Sequence, residues 1–129
     1  MNQVAQHVTG IQHVGIPTND LEATVKFYET LGFSLVHRTK AGDMPVCFLK
    51  WQSICMEVYE NKEAVGVNGA IDHLALNVDN IEAAWDAVKA TGLEIREPEI
   101  QQLPFWDKGI RFFTIAGPNH EVLEFNQIL

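Results

Sequence analysis

Four side chains in this sequence have the types and the placement for metal chemistry: His13, Glu57, His73 and Glu124. Each sits in a strand-like apolar run, within Gln-His-Val-Gly-Ile, Met-Glu-Val-Tyr, Asp-His-Leu-Ala-Leu and Leu-Glu-Phe. Strand side chains alternate between two faces. Met56 and Val58 therefore point one way and Glu57 the other, and Leu123 and Phe125 point away from Glu124. Glutamate is a weak strand former, and a carboxylate buried in such a run without a partner is costly. Taken singly, each of these residues reads as an ordinary solvent-facing position of a half-exposed sheet. Taken together, two imidazoles and two carboxylates converging on one cation would remove the cost. The donor set is mixed nitrogen and oxygen with no thiolate. It suits Zn²⁺, Ni²⁺, Co²⁺, Mn²⁺ or Fe²⁺ rather than a structural cysteine site. Four protein ligands leave two octahedral positions for water or for two neighbouring substrate oxygens.

The elements that must position these residues occur twice. Residues 10–35 fall on 70–95 without a gap, and Ile11/Ile71, His13/His73, Glu22/Glu82, Ala23/Ala83 and Gly32/Gly92 are identical in that register. The glutamates correspond at an offset of 67 instead of 60, because the second copy carries seven extra residues. Two copies make a duplicated module; a solenoid needs three or more. Each copy opens on a strand, 10–17 and 70–78. Asn19/Asp20 and Asp79/Asn80 cap helices over 20–31 and 80–91, whose stripes are Leu21, Val25, Tyr28, Leu31 and Ile81, Ala84, Trp85, Val88. Gly32 and Gly92 follow as C′ glycines. Further strands are predicted at Phe33–Thr39, Val46–Trp51 and Ile54–Tyr59, and at Leu93–Arg96, Ile110–Ala116 and Glu121–Asn126. The reading is α+β: a tail over 1–9, a βαβββ module over 10–61, a linker over 62–69 and a second βαβββ module over 70–129. The segment 97–109, with Pro98, Pro104 and Gly109, reads as a long loop with room for a short strand.

The chain has 129 residues and 47% hydrophobic composition, the profile of one globular domain. Nine Lys+Arg against seventeen Asp+Glu give a net charge of −8, which argues against nucleic acid or an anionic membrane as partner. No apolar run approaches the ~20 residues of a membrane span. The polar N-terminal stretch has no signal-peptide core, so a cytoplasmic location is expected. Cys47 and Cys55 are expected as free thiols.

The sequence resembles the vicinal oxygen chelate superfamily, and within it most closely glyoxalase I, over about Gly10 to Gln127. The His, Glu, His, Glu order of His13, Glu57, His73 and Glu124 matches the metal ligands of that enzyme, and Asp72-His73-Leu74-Ala75-Leu76-Asn77-Val78-Asp79-Asn80 resembles the opening of its second module. The resemblance implies paired βαβββ modules forming a cupped mixed sheet around a divalent metal. It further implies a metal-bound enediolate, with Glu57 or Glu124 moving the proton, on an α-hydroxy carbonyl compound or a 2-oxoaldehyde–thiol adduct. It implies a homodimer whose metal sites are shared between chains, and it aligns Asn61 with a glutathione-contacting asparagine. Two places depart from the pattern. Pro17 stands where an arginine usually helps hold glutathione, and Gly117-Pro118-Asn119-His120 replaces the usual turn before the last strand. Lys108 and Arg111 are the candidate substrate-binding cations that would compensate, against plain surface roles.

Two other functions fit the same scaffold. A ring-cleaving dioxygenase uses two histidines and one carboxylate on iron; Glu57 would fill a position that O₂ or catechol needs, and it disfavours a fosfomycin-inactivating three-ligand site for the same reason. A metal-free drug-binding protein would not need the four ligands. Of the remaining residues, His7 falls in the tail and is expected to be disordered. His37 reads as surface, and His120 as a turn residue tolerant of a left-handed backbone. Tyr59, Phe105, Trp106 and Phe112 are divided evenly between pocket wall and core.

Overall fold

The computed structural model describes residues 2–129. Its elements are β1 (Val14–Pro17), α1 (Leu21–Thr30), β2 (Ser34–Ala41), β3 (Met44–Trp51), β4 (Ile54–Tyr59), β5 (Leu74–Asn77), α2 (Ile81–Ala90), β6 (Gln101–Leu103), β7 (Ile110–Ala116) and β8 (Val122–Ile128). The strands form two mixed four-stranded sheets, ordered β1-β4-β3-β2 and β5-β8-β7-β6. In each sheet the opening strand runs parallel to the closing one, and the other pairs are antiparallel. Each module is therefore βαβββ, and the fold is α+β as the repeat predicts.

The helices start where capping chemistry puts them. The carboxylate of Asp20 and the side-chain oxygen of Asn80 each accept a hydrogen bond, 3.0 Å long, from the backbone N–H of the third residue on, Ala23 and Ala83. Gly32 and Gly92 take left-handed φ of 100° and 83° just past the helix ends, a conformation in which a Cβ would be strained.

One apolar core runs through both modules. Leu21, Val25 and Tyr28 of α1 join Met56 and Val58 of β4, Ile81 and Val88 of α2, and Phe113, Ile115 and Leu123. These are the helix-facing stripes and inward strand positions of the sequence pattern. The seam also carries hydrogen bonds. The Tyr28 hydroxyl donates to Glu121 at 3.2 Å, and the Asn119 amide donates to the Thr24 hydroxyl at 3.0 Å. Burial, reinforced by the neighbouring Glu121 charge, raises the Tyr28 pKa far above its ordinary value. The backbone of Gly117 passes so close to Glu121 that a Cβ there would collide with the Glu121 side chain.

Several expectations need correcting. The opening strands begin at Val14 and Leu74, later than 10 and 70, so His13 and His73 stand one residue ahead of their strands. Leu93–Arg96 is not a strand. It contributes one bridge, Ile95 to Ile115, and the Arg96 N–H bonds to the Thr114 carbonyl at 2.9 Å. The Glu97 side chain then takes the Thr114 N–H at 2.7 Å, doing with a carboxylate what a continuing strand would do with its backbone. The sheet's edge is instead Gln101–Leu103, between Pro98 and Pro104. Near the N-terminus, His7 closes a backbone turn onto Val4 at 3.1 Å instead of trailing in a disordered tail. Cys47 is buried, Cys55 is half-buried, and both are free thiols; burial pushes the Cys47 thiol pKa up. His120 has the left-handed φ, 60°, expected of its turn. Among the described residues no helix is long and apolar enough to cross a membrane.

Candidate metal centre

Parallel pairing brings each histidine to its glutamate. β1 and β4 set Gly15 opposite Glu57, and β5 and β8 set Ala75 opposite Glu124. Each histidine lies two residues before that partner, on the same face. The resulting separations are alike: His13 Nε2 to Glu57 Oε2 is 3.8 Å, and His73 Nε2 to Glu124 Oε1 is 3.7 Å. Both are too long for a hydrogen bond. Two ligands each ~2.1 Å from one ion, at tetrahedral or octahedral angles, lie about 3.0 to 3.4 Å apart. A closure of a few tenths of an ångström would let one cation take both donors of a pair.

The other nitrogen of each ring is already engaged. His13 Nδ1 lies 3.0 Å from the side-chain oxygen of Gln12, and His73 Nδ1 lies 2.8 Å from Asp72 Oδ2. Those oxygens are acceptors, so Nδ1 carries a proton and Nε2 faces the glutamate. This is the arrangement that orients metal-ligating histidines. Gln12 and Asp72 were not among the expected site residues. Their signal was in the repeat, which puts an oxygen-bearing side chain immediately before the histidine in both copies.

The two carboxylates are held differently. Glu124 is 14% exposed and its Oε2 accepts a 2.8 Å hydrogen bond from the Asn126 amide. Glu57 is 28% exposed and accepts no hydrogen bond among the described residues. Opposite it, Gly15 carries no side chain; a Cβ there would lie 3.8 Å from Glu57 Oε1 and 3.5 Å from Tyr59 Cε1.

The four residues do not meet within the chain. Among the described residues no group of three or more His, Cys, Asp and Glu side chains is close enough to hold one ion. The chain presents two equivalent His–Glu pairs, one per module, beside the opening strands. β1 and β5 are edge strands, and a groove between the modules is lined by Val14, Ile16, Val67, Ile71, His73 and Leu74. Ile11 and Ile71, equivalent in the repeat, are almost fully exposed at 87% and 86%.

The expected substrate contacts fare unevenly. Asn61 follows β4, and its side-chain oxygen accepts from the Glu63 N–H at 3.0 Å. Lys108 lies in the exposed β6–β7 loop. Arg111 is turned to the helix side of its sheet and pairs with Glu82 of α2 at 3.1 Å. Thr114 opposite Glu124 and Phe112 opposite Asn126 occupy the site face, and Arg111 falls between such positions, so alternation sends it away. Tyr59 and Phe112 are half-buried on the site faces of their sheets. Phe105 and Trp106 are 52% and 76% exposed and take no part in the core.

The family model described as the glyoxalase/bleomycin resistance protein/dioxygenase superfamily matches residues 10–125. The chain is 31% identical over 124 residues to the uncharacterized protein YwbC of Bacillus subtilis (strain 168), covering 91% of this chain and 96% of YwbC. A glyoxalase family protein from Enterococcus faecalis superposes with a TM-score of 0.74 at 26% identity, covering 92% of this chain and 97% of that one. The fosfomycin resistance protein FosX of Listeria monocytogenes, crystallised with Mn(II) and sulfate, shares the fold with a TM-score of 0.67 at 14% identity, covering 95% and 94%.

Proposed function

Because the chain belongs to the glyoxalase/bleomycin resistance protein/dioxygenase superfamily, we propose that it is a divalent-metal-dependent enzyme of glyoxalase I type. Its substrate is an α-hydroxy carbonyl compound or a 2-oxoaldehyde–thiol adduct. The observation that carries this reading is the duplicated His–Glu pair, His13 with Glu57 and His73 with Glu124, each Nε2 aimed at its carboxylate and each Nδ1 anchored.

These four residues would hold the metal. When bound, the ion supplies Lewis acidity: it polarises the substrate's vicinal oxygens and acidifies the neighbouring C–H. Proton movement falls to a carboxylate. Glu57 faces a glycine with no side chain and has no hydrogen bond to restrain it among the described residues, whereas Asn126 ties down Glu124. Glu57 is therefore the carboxylate that moves the proton from one carbon to the next, and Glu124 the fixed one.

The proposal includes a homodimer with shared sites. Two half-sites per chain, with no three-donor group inside the chain among the described residues, fit an assembly in which His13 and Glu57 of one protomer meet the second-module pair of the other. The groove between β1 and β5 and the exposed Ile11 and Ile71 offer the contact surface. A cytoplasmic location accords with the free thiols.

The test is thioester formation from methylglyoxal and glutathione, then with other thiols, after loading with Ni²⁺ or Zn²⁺. Metal-dependent turnover with at least one thiol is expected. Pro17, standing in place of a glutathione-holding arginine, predicts that glutathione is not the best of them. Absence of turnover with every thiol would remove the glyoxalase assignment and leave the metal site standing.

A further inference from the structure

The edge strand β2 contains an irregularity that redirects a histidine. Leu35 pairs with Leu49, but the next pair is His37 with Phe48, so Val36 is an extra residue with no partner. One extra residue transfers everything after it to the opposite face. Arg38 shows the result on the helix side, where it bonds Glu22 of α1 at 2.7 Å. His37 is thereby turned to the face that carries Glu57, since Phe48 pairs with His37 on one side and with Glu57 on the other.

Phe48 is flanked by two histidines. The His37 ring lies 5.8 Å from it, tilted by 33°, and the His13 ring lies 6.0 Å from it, edge-on. Lys50, two residues along β3, is on the same face and exposed. Among the described residues, neither His37 nor Lys50 has a side-chain hydrogen bond or an ion pair. A bulge that costs a ladder pair has thus aimed an unspent imidazole at a face that already holds half a metal site. Bulges beside active sites commonly re-aim a side chain in this way.

We propose that His37, assisted by Lys50, binds an anionic oxygen group at the far end of the ligand. This deepens the metal-enzyme reading given above and rests on it. The ligand would place two vicinal oxygens at the His13–Glu57 end. A flat apolar middle would lie over Phe48, and a carboxylate or phosphoryl group would reach His37. The class is therefore an α-hydroxy or α-oxo compound carrying a remote anion. His37 is a specificity-determining residue and takes no part in moving the proton.

The test compares mandelate with 4-carboxymandelate and 4-phosphonomandelate, titrated calorimetrically into the full-length Co²⁺-loaded protein. At least one para-anionic probe should bind about tenfold tighter than mandelate, as expected of one charge-assisted contact. His37→Ala and His37→Gln should reduce that preference to under about threefold and leave mandelate binding unchanged, and Lys50→Gln should reduce it partly. Which para group shows the larger loss identifies the anion. If Co²⁺ does not bind, the metal reading fails on its own. Terephthalate against benzoate, titrated into the metal-free protein and its His37 variants, then decides this proposal on the same criterion. A wild-type protein without preference, or a preference that survives both His37 substitutions, overturns it.

Discussion

Across a parallel strand pair, His73 Nε2 faces Glu124 Oε1 at 3.7 Å, and in the other module His13 stands to Glu57 in the same relation. Behind each ring is an acceptor, Asp72 or Gln12, that fixes the tautomer. If this pairing exists to bind metal, the outer acceptors matter in proportion. Asp72→Ala should weaken divalent-metal affinity about 10- to 100-fold, and His73→Ala should abolish measurable binding. Competition against a chelating dye reads both. Equal affinity in Asp72→Ala and wild type would mean that the carboxylate does not orient the ring.

Gly15 offers a test of Glu57 mobility. A Cβ at this position would meet Tyr59 Cε1 at 3.5 Å and Glu57 Oε1 at 3.8 Å, ordinary contact distances. Gly15→Ala should therefore fold and bind metal normally. Gly15→Leu would crowd the Glu57 carboxylate, and turnover should fall by at least tenfold with thermal stability kept within a few degrees. Unchanged turnover in Gly15→Leu would count against Glu57 as the moving carboxylate.

The seam between modules gives a stability prediction. Tyr28→Phe removes the hydroxyl that donates to Glu121 and should cost about 1–2 kcal/mol in urea unfolding. The folded state raises the Tyr28 pKa, chiefly by burial, so its contribution is intact below the ordinary value of 10.0 and is lost as pH climbs above it. Wild-type stability should fall from about pH 10 upward, and Tyr28→Phe should flatten that fall. Gly117→Ala, whose Cβ would collide with the Glu121 side chain, should be destabilising too and non-additive with Tyr28→Phe, because both disturb one contact.

The thiols differ in access. Cys47 is buried and its pKa is pushed up by that burial, whereas Cys55 is half-buried on the site face of β4. Iodoacetamide at neutral pH should modify Cys55 first, with Cys47 reacting only on unfolding; peptide mapping by mass spectrometry distinguishes the two. Bound metal should slow the Cys55 reaction, because Cys55 is two residues from Glu57 on that face.

Much of this arrangement was legible in the sequence, for identifiable reasons. Asp20 and Asn80 announced the helix starts because an N-cap is a local interaction. The alternation of Met56, Glu57, Val58 and Tyr59 fixed which face each side chain took, because the strand period is rigid. The places where reading failed depend on partners distant in sequence. Glu97 replaces a strand by bonding the Thr114 N–H, and nothing near Glu97 signals that. Arg111 looked like a substrate cation until the register of β7 turned it to Glu82. His37 is exposed, as read from the sequence, but the face it occupies was hidden, because the bulge at Val36 is set by how β2 pairs with β3.

The central claim is that two chains together build each metal site, and subunit mixing tests it most directly. His13→Ala and His73→Ala homodimers should each be metal-free. After the two are mixed and reassembled, a heterodimer has one site with both substitutions and one site with neither. Statistical mixing should then restore about a quarter of the wild-type Ni²⁺ content per chain. No recovered metal in a mixture whose heterodimers are demonstrated by mass spectrometry would contradict the shared site.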